Sequence, residues 1–363
     1  MPASADTTDT NPRRPLRWPA GFGGRSEQTI AQILITPGQL LMAFIVLFPA
    51  AVAIYLGFTK FNPTLGYLWF DAYKGWGWFD NYWEALKDWG TFWTGGGFWQ
   101  AMIRTIIVTV LATGVELLVG FALGLLLMNN FRGRSMVTLV FLLPMMVVPA
   151  VTGFIFYMLF QTQGPINGIL TFFLHDILHL TGHIHVPWLS DPNIALFSVM
   201  ITDIWQWTPL MFLIMLSGLV ALPEDQMNAA RLLGAKFHHQ LRHLILPMMW
   251  PIVLIAVIIR AIETFKIFDA PFLMTQGGPG DATTTISVYL FRKTIHDTQQ
   301  WGYGSAVAIL VLIFVSLVGL RAVKPIEAAQ EESTDQFIGA EPDPILADPA
   351  AAAEAEAAAG ARA

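Results

Sequence analysis

The sequence predicts an all-α, polytopic membrane fold with six transmembrane helices, on three observations. Its 363 residues are 55% hydrophobic and only 13% charged, with mean hydropathy +0.55, whereas soluble domains are about one-quarter charged. Six apolar runs are each long enough to cross a hydrocarbon core of roughly 30 Å, which takes about 20 helical residues. They are approximately Leu34 to Phe58, Ala101 to Met128, Met136 to Phe160, Ala195 to Leu219, Met248 to Leu273 and Tyr303 to Leu320. The basic residues between the runs alternate in density, which fixes an orientation because Lys and Arg are retained on the cytoplasmic side.

Residues 1–30 are rich in Thr, Pro, Gly and Arg and cannot bury a core, so they read as a disordered N-terminal tail ahead of a membrane domain over residues 31–323. The first run is too long for a cleaved signal peptide, and Thr59-Lys60-Phe61 offers no small-residue cleavage site. It reads as a retained span. Seven of the 13 Trp (Trp69, Trp76, Trp78, Trp83, Trp89, Trp93, Trp99) crowd the loop that follows, interleaved with glycines. They fit an interfacial aromatic belt, a docking platform for an external protein, or both. Gly120 and Gly124 in the second run form a G-x-x-x-G suited to close helix packing, and Glu116 stands there as an isolated acid.

Arg132 and Arg134 mark the next turn as cytoplasmic, while the loop from Gln161 to Ile194 has no Lys or Arg and reads as external. His175, His179, His183 and His185 in that loop carry metal-ligand chemistry. Gly182 interrupts their helical spacing and no carboxylate accompanies them, so ordinary outer surface is the better reading. In the fourth run Asp203, Gln206 and Trp207 share a helix face at spacings of three and four, with Trp205 pointing away and Pro209 placed to bend the helix. Basic residues in the N-terminal tail (Arg13, Arg14, Arg17, Arg25), the loop after the fourth run (Arg231, Lys236, Arg242) and beyond the sixth (Arg321, Lys324) put both termini in the cytoplasm. Residues 324–363 turn to Ala, Glu, Asp and Pro, hold much of the acid behind the net charge of −6, and read as a disordered cytoplasmic tail.

The loop over residues 222–247 is polar and basic between two spans. Pro223 suits a first helical turn, and Glu224 and Asp225 face the positive end of the helix dipole. Gly234 can end that helix in the left-handed conformation, and a second basic helix follows from about Lys236 to His243. Met227, Ala230 and Leu233 or Gly234 recur at spacings of three and four, giving an apolar face for a partner's groove. An amphipathic hairpin lying on the lipid surface is the alternative.

This loop, reading NAARLLGAKFHHQLRHLILP from Asn228 to Pro247, resembles the E-A-A-x3-G-x9-I-x-L-P pattern of ATP-binding-cassette (ABC) importer permeases. Ala229, Ala230, Gly234, Leu246 and Pro247 match; Asn228 replaces the usual Glu and Leu244 the usual Ile. Further strings resemble permeases of the maltose and trehalose type. They are Phe79-Asp80-Asn81-Tyr82, the stretches Asn129 to Arg134 and Phe141 to Pro144, Asp203 to Pro209, and Gly277 to Gly280 with Thr283 to Leu290. The resemblance implies a six-helix bundle in a bacterial cytoplasmic (inner) membrane, paired with a second homologous permease and fed by an extracytoplasmic solute-binding protein. It implies two cytoplasmic ATPase subunits that bind ATP and Mg, with no cofactor on this chain and no part for nucleic acid. Coupling to those ATPases would pass through Asn228, Ala229, Ala230, Gly234, Leu244, Leu246 and Pro247, and the solute would be a carbohydrate or polyol.

Intramembrane charge marks the candidate solute pathway. Arg260, Glu263, Lys266 and Asp269 in the fifth run alternate in sign at spacings of three, so they either neutralise one another along one helix ribbon or line a path. Asp203, Gln206 and Trp207 offer carboxylate, amide and an aromatic face for a sugar ring, or else an interfacial Trp beside a helix-packing Asp. The pathway set is therefore Asp203, Gln206, Trp207, Glu263 and Lys266. The sequence has no Cys, no phosphate-cradling GxxxxGK[ST] and no Ser/His constellation, so ATP hydrolysis belongs to another polypeptide and this chain is no enzyme. Rival readings are an ion-driven secondary carrier using Glu116 and Asp203 as proton relays, a permease for glycerol phosphate or another small polar solute, and a membrane-embedded enzyme. No internal repeat or pair of broken segments of the kind found in inverted-repeat carriers is visible.

Overall fold

The computed structural model describes residues 25–66, 68–90, 96–129, 131–177, 179 and 185–338; residues 1–24, Trp93, His183 and residues 339–363 lie outside that range. The chain divides at Tyr55 into two units. Helix α1 (Arg25–Gly57) supplies all of the described part of the first, with Pro37 and Pro49 inside it. Its apolar side chains, Leu40, Leu41, Phe44 and Leu47 among them, are exposed around the whole circumference. A helix apolar on every side requires a hydrocarbon environment.

The second unit is built from α2 (Asp80–Lys87), α3 (Phe98–Leu127), α4 (Arg134–Met146), α5 (Pro149–Leu159), α6 (Pro165–Thr171), α7 (Pro192–Val220), α8 (Glu224–Leu232), α9 (Phe237–Gln240), α10 (Leu246–Phe265), α11 (Asp269–Thr275), α12 (Ile286–Phe291) and α13 (Trp301–Ile338). Among the described residues of the whole chain, five stretches are long and apolar enough to cross a membrane: Gln32–Gly57, α3, α7, Phe237–Thr275 and Trp301–Ala322. The count reaches six if α4 and α5 form one span, but these two meet at 94°. The third apolar run, Met136 to Phe160, is thus sharply bent, for Val147 and Val148 are extended and Pro149 starts a new helix. The residue before a proline is disfavoured in helix, so Pro149 imposes the break.

Helices α3 and α7 make the most extensive pairing. A Cβ on Gly120 would lie 2.8 Å from the Phe212 nitrogen and one on Gly124 3.1 Å from Leu219. The G-x-x-x-G therefore serves close backbone approach, as predicted. Below it, Met211, Met215, Leu219, Ile245 and Met249 form one core cluster; Phe156, Phe160, Val199 and Met274 form another where α5 meets α7 and α11. Pro209 is buried inside a continuous α7.

On the predicted outer side, Asn81 donates through Nδ2 to the carbonyls of Gly57 (2.9 Å) and Thr59 (2.7 Å), while Phe58 packs on Phe79 and Tyr82. The Phe79-Asp80-Asn81-Tyr82 string thereby holds residues 57–59 to α2 within the second unit. Trp69, Trp76, Trp78, Trp83 and Trp89 keep their rings exposed. Trp99 donates its indole N–H to the Leu86 carbonyl (2.9 Å) and stacks on Trp89.

Candidate functional site

Two breaks in the helices face one another across a polar cleft of about 250 Å³. One is the α4–α5 corner, which presents Pro149. The other follows α10, where Lys266 and Ile267 turn back with 3.2 and 3.0 Å bonds to the Glu263 and Thr264 carbonyls before α11 begins at Asp269. Between them α7 contributes Asp203, Gln206 and Trp207, so all five residues of the predicted pathway set border this cleft.

The four charges of the fifth run do not form the expected ladder. Helix α10 ends at Phe265 and Asp269 sits on a different helix, so the ribbon that would align all four is interrupted. Only Glu263 and Lys266 pair (2.9 Å), on an exposed edge. Arg260 turns inward instead. Its Nε and Nη2 donate to the two Glu116 oxygens (2.7 and 3.0 Å), and Nη2 also donates to Asp203 Oδ2 (2.6 Å). Glu116 is therefore not isolated, and α3, α7 and α10 are pinned together by a triad whose members are all buried. The fork geometry of a guanidinium on a carboxylate is the strong form of such a bond. Trp207 lies over the Arg260 guanidinium, 5.1 Å from centroid to carbon, in cation–π contact.

Gln206 is buried and donates Nε2 to the Val147 carbonyl (2.8 Å), at the α4–α5 break. Trp205 points away from the cleft, half exposed against Phe156. Sequence reasoning missed the Arg260 to Glu116 partnership and the places of Pro149 and Asp269. One signal was present: Glu116 and Asp203 have no cation within a helical turn on their own spans, and Arg260 is a basic group on a third span that can neutralise both when all three are buried.

The loop over residues 222–247 forms the expected helix, Gly turn, helix. Gly234 takes φ +78° after α8, and the Ala235 N–H returns to the Ala230 carbonyl (3.0 Å). The second helix is α9, which runs through one π-helical turn (Leu241–Ile245) into α10. Its apolar face differs from the expected one. Met227 is buried in the core beside Met215, Ile245 and Met249, and Leu244 packs against the same cluster. Outward stand Leu232 and Leu233, 90% and 88% exposed, with Asn228, Ala229, Gly234, Leu246 and Pro247 also exposed and Ala230 half-buried. Three-residue counting assigned Met227 to the wrong side because it cannot see that the core lies beneath that turn.

A second polar cluster sits between α12 and α13. Arg292 bonds Asp281 and, through Nε, Asp297 (2.9 Å). Hydrogen bonds from His296 and Arg292 hold the Asp297 carboxyl below its ordinary range despite partial burial. Burial, with bonds to Tyr303 and Asp88, pushes the Tyr289 phenol well above the usual value.

Comparison with known proteins supplies the context for this geometry. Residues 116–329 match the family described as binding-protein-dependent transport system inner membrane component. The trehalose/maltose transport system permease protein MalF of Thermococcus litoralis is 31% identical over 219 residues, covering 60% of this chain and 71% of that protein. The sulfoquinovosyl glycerol transport system permease protein SmoG of Agrobacterium fabrum is 28% identical over 302 residues, covering 82% and 91%. The fold is similar to a chain of the bacterial alginate ABC transporter solved with an alginate pentasaccharide-bound periplasmic protein, at TM-score 0.65 and 16% identity over 82% of this chain and 93% of that one.

Proposed function

Because the chain belongs to the family of inner membrane components of binding-protein-dependent transport systems, we propose that it is a permease subunit of an ATP-driven importer for a carbohydrate or polyol. The observation that carries the solute reading is the cleft, where two helix breaks meet acidic, amide and cationic side chains beside the Trp207 ring. Hydroxyls are matched by such alternating donors and acceptors, and the apolar face of a sugar ring by an indole. A trehalose/maltose permease among the relatives supports the same solute class. Asp203, Gln206, Trp207, Glu263 and Lys266 are its pathway residues, on a path completed by a second permease.

An external binding protein delivers solute to the outward face, and two cytoplasmic ATPases bind ATP and Mg. Closure of those ATPases moves the loop formed by α8 and α9 as a rigid body. Asn228, Ala229, Ala230, Gly234, Leu244, Leu246 and Pro247 position that loop, and exposed Leu232 and Leu233 fill an apolar groove on the partner. Directional transport requires ATP and solute to favour different conformations, since equal affinity shifts nothing. Both termini are cytoplasmic in this arrangement. The test is uptake of labelled sugars by the complete assembly in proteoliposomes, with Leu232→Glu and Leu233→Glu together. Co-purification of the ATPases and uptake should both fall at least tenfold while the permease remains folded; retained attachment and uptake overturn the coupling role.

A further inference from the structure

The cleft holds more carboxylate than cation. Asp203, Glu263 and Asp269 border it against Arg260 and Lys266, and Glu116 stands directly behind Arg260. Glu263 and Lys266 cancel. Arg260 offsets only one of its two carboxylates. Asp269 remains in every case: it is half-buried at the start of α11 and its carboxylate has no hydrogen-bond or ion-pair partner among the described residues. A second observation points to a ligand at the same place. Arg260 is 2% exposed, yet only its Nε and Nη2 are used; Nη1 has no partner among the described residues and the side chain borders the cleft.

We infer that this cleft selects an uncharged polyhydroxylated solute and disfavours sugars that carry a carboxylate, sulfonate or phosphate, with Asp269 the specificity-determining residue. The inference rests on the pathway reading above. A polyhydroxylated solute can satisfy both open groups, since a hydroxyl donates its proton to the Asp269 carboxylate and accepts from Arg260 Nη1 through its lone pairs. An anionic sugar could take the Arg260 donor but would set its charge against Asp269. Two like charges about 6 Å apart at an effective dielectric near 20 correspond to roughly a hundredfold in affinity, before water and counter-ions screen it. A preference of about tenfold or more for the neutral sugar follows.

Methyl glucoside and methyl glucuronide differ only at the sixth carbon, where one has a hydroxymethyl group and the other a carboxylate. Their binding, and that of trehalose, would be measured on the complete transporter in nanodiscs without binding protein, by saturation-transfer NMR at millimolar sugar. The wild type should favour the glucoside at least tenfold over the glucuronide, and Asp269→Asn should narrow that ratio to about threefold or less. Equal binding of the two by the wild type, or a ratio unmoved by Asp269→Asn, overturns the selectivity inference and leaves the pathway reading standing. Absence of signal from all three sugars, together with unimpaired uptake by Trp207→Ala in proteoliposomes, overturns the pathway reading as well.

Discussion

Substitution of Arg260 by Met tests whether the buried triad holds the bundle together. The guanidinium makes three charge-assisted bonds of 2.6 to 3.0 Å to Glu116 and Asp203, whose side chains are 0% and 6% exposed. Methionine keeps most of the aliphatic stem but leaves two carboxylates facing each other without a counter-charge. Breaking a buried pair in this way costs about 3 to 5 kcal/mol. That is a large share of the roughly 5 to 15 kcal/mol that stabilises a typical domain. Glu116→Gln, Asp203→Asn and Arg260→Met combined remove all three charges, and replacing a buried ionic group as a unit is often close to neutral. The triple variant should therefore recover most of what the single one loses. Denaturant unfolding of the purified assembly in nanodiscs reads both quantities. A single variant as stable as the wild type, or a triple variant as weak as the single, refutes the triad as the element that binds α3, α7 and α10.

At the α3–α7 crossing, Gly120→Val should destabilise by about 1 to 3 kcal/mol, since its Cβ would meet the backbone of Met211 and Phe212, which cannot swing aside. Gly114→Ala, with nothing within 4 Å, is the matched control and should be neutral or slightly stabilising in the same unfolding assay. Gln206→Leu leaves the Val147 carbonyl unpaired, a loss of about 1 to 3 kcal/mol, and amide exchange over residues 147–152 should accelerate. Unchanged exchange there would contradict the capping role. Because Asp297 is held below its ordinary pKa of about 4, its contribution to stability is complete above that pH and is lost as pH falls through the lowered value. The acid limb of a stability profile should consequently shrink in Asp297→Asn, and identical limbs in the two proteins would count against it.

The apolar helices and the helix, Gly turn, helix of the loop over residues 222–247 were legible because they depend on local quantities: runs of apolar residues and the backbone freedom of Gly234. The G-x-x-x-G was legible for the same reason, a short spacing on one helix. Membership of one cleft by Asp203, Gln206, Trp207, Glu263 and Lys266 followed from a chemical argument, that charge and amide inside a membrane segment need a reason. What escaped was everything set by neighbours far along the chain. Arg260 bonds a residue 144 positions away, across a distance that no helical spacing encodes. Met227 looked like half of an outward face because its inward partners, Ile245 and Met249, belong to a later helix. The break after α10 was hidden because no proline marks it; the sequence from Phe265 to Asp269 reads as continuous helix.

The breaks also explain what the motif strings are for. Non-helical backbone at membrane depth is tolerated only where protein or a wet cavity satisfies its polar groups. Gln206, from the Asp203 to Pro209 string, donates to the Val147 carbonyl at the first break. At the second, Ser287 donates to the Lys266 carbonyl (3.1 Å) and Thr285 to that of Ile267 (3.0 Å), both from the Thr283 to Leu290 string. The turn that delivers them is itself fastened, with Thr283 bonded to the Gly278 carbonyl (2.8 Å), Thr284 to that of Gly277 (2.9 Å), and Thr105 of α3 accepting the Ile286 N–H (2.8 Å). Two strings that read separately as family resemblance thus perform one physical task, supplying the side chains that allow helices to stop beside the cleft. A helix that stops there frees space and exposes backbone dipoles, which is why the cleft and both breaks coincide.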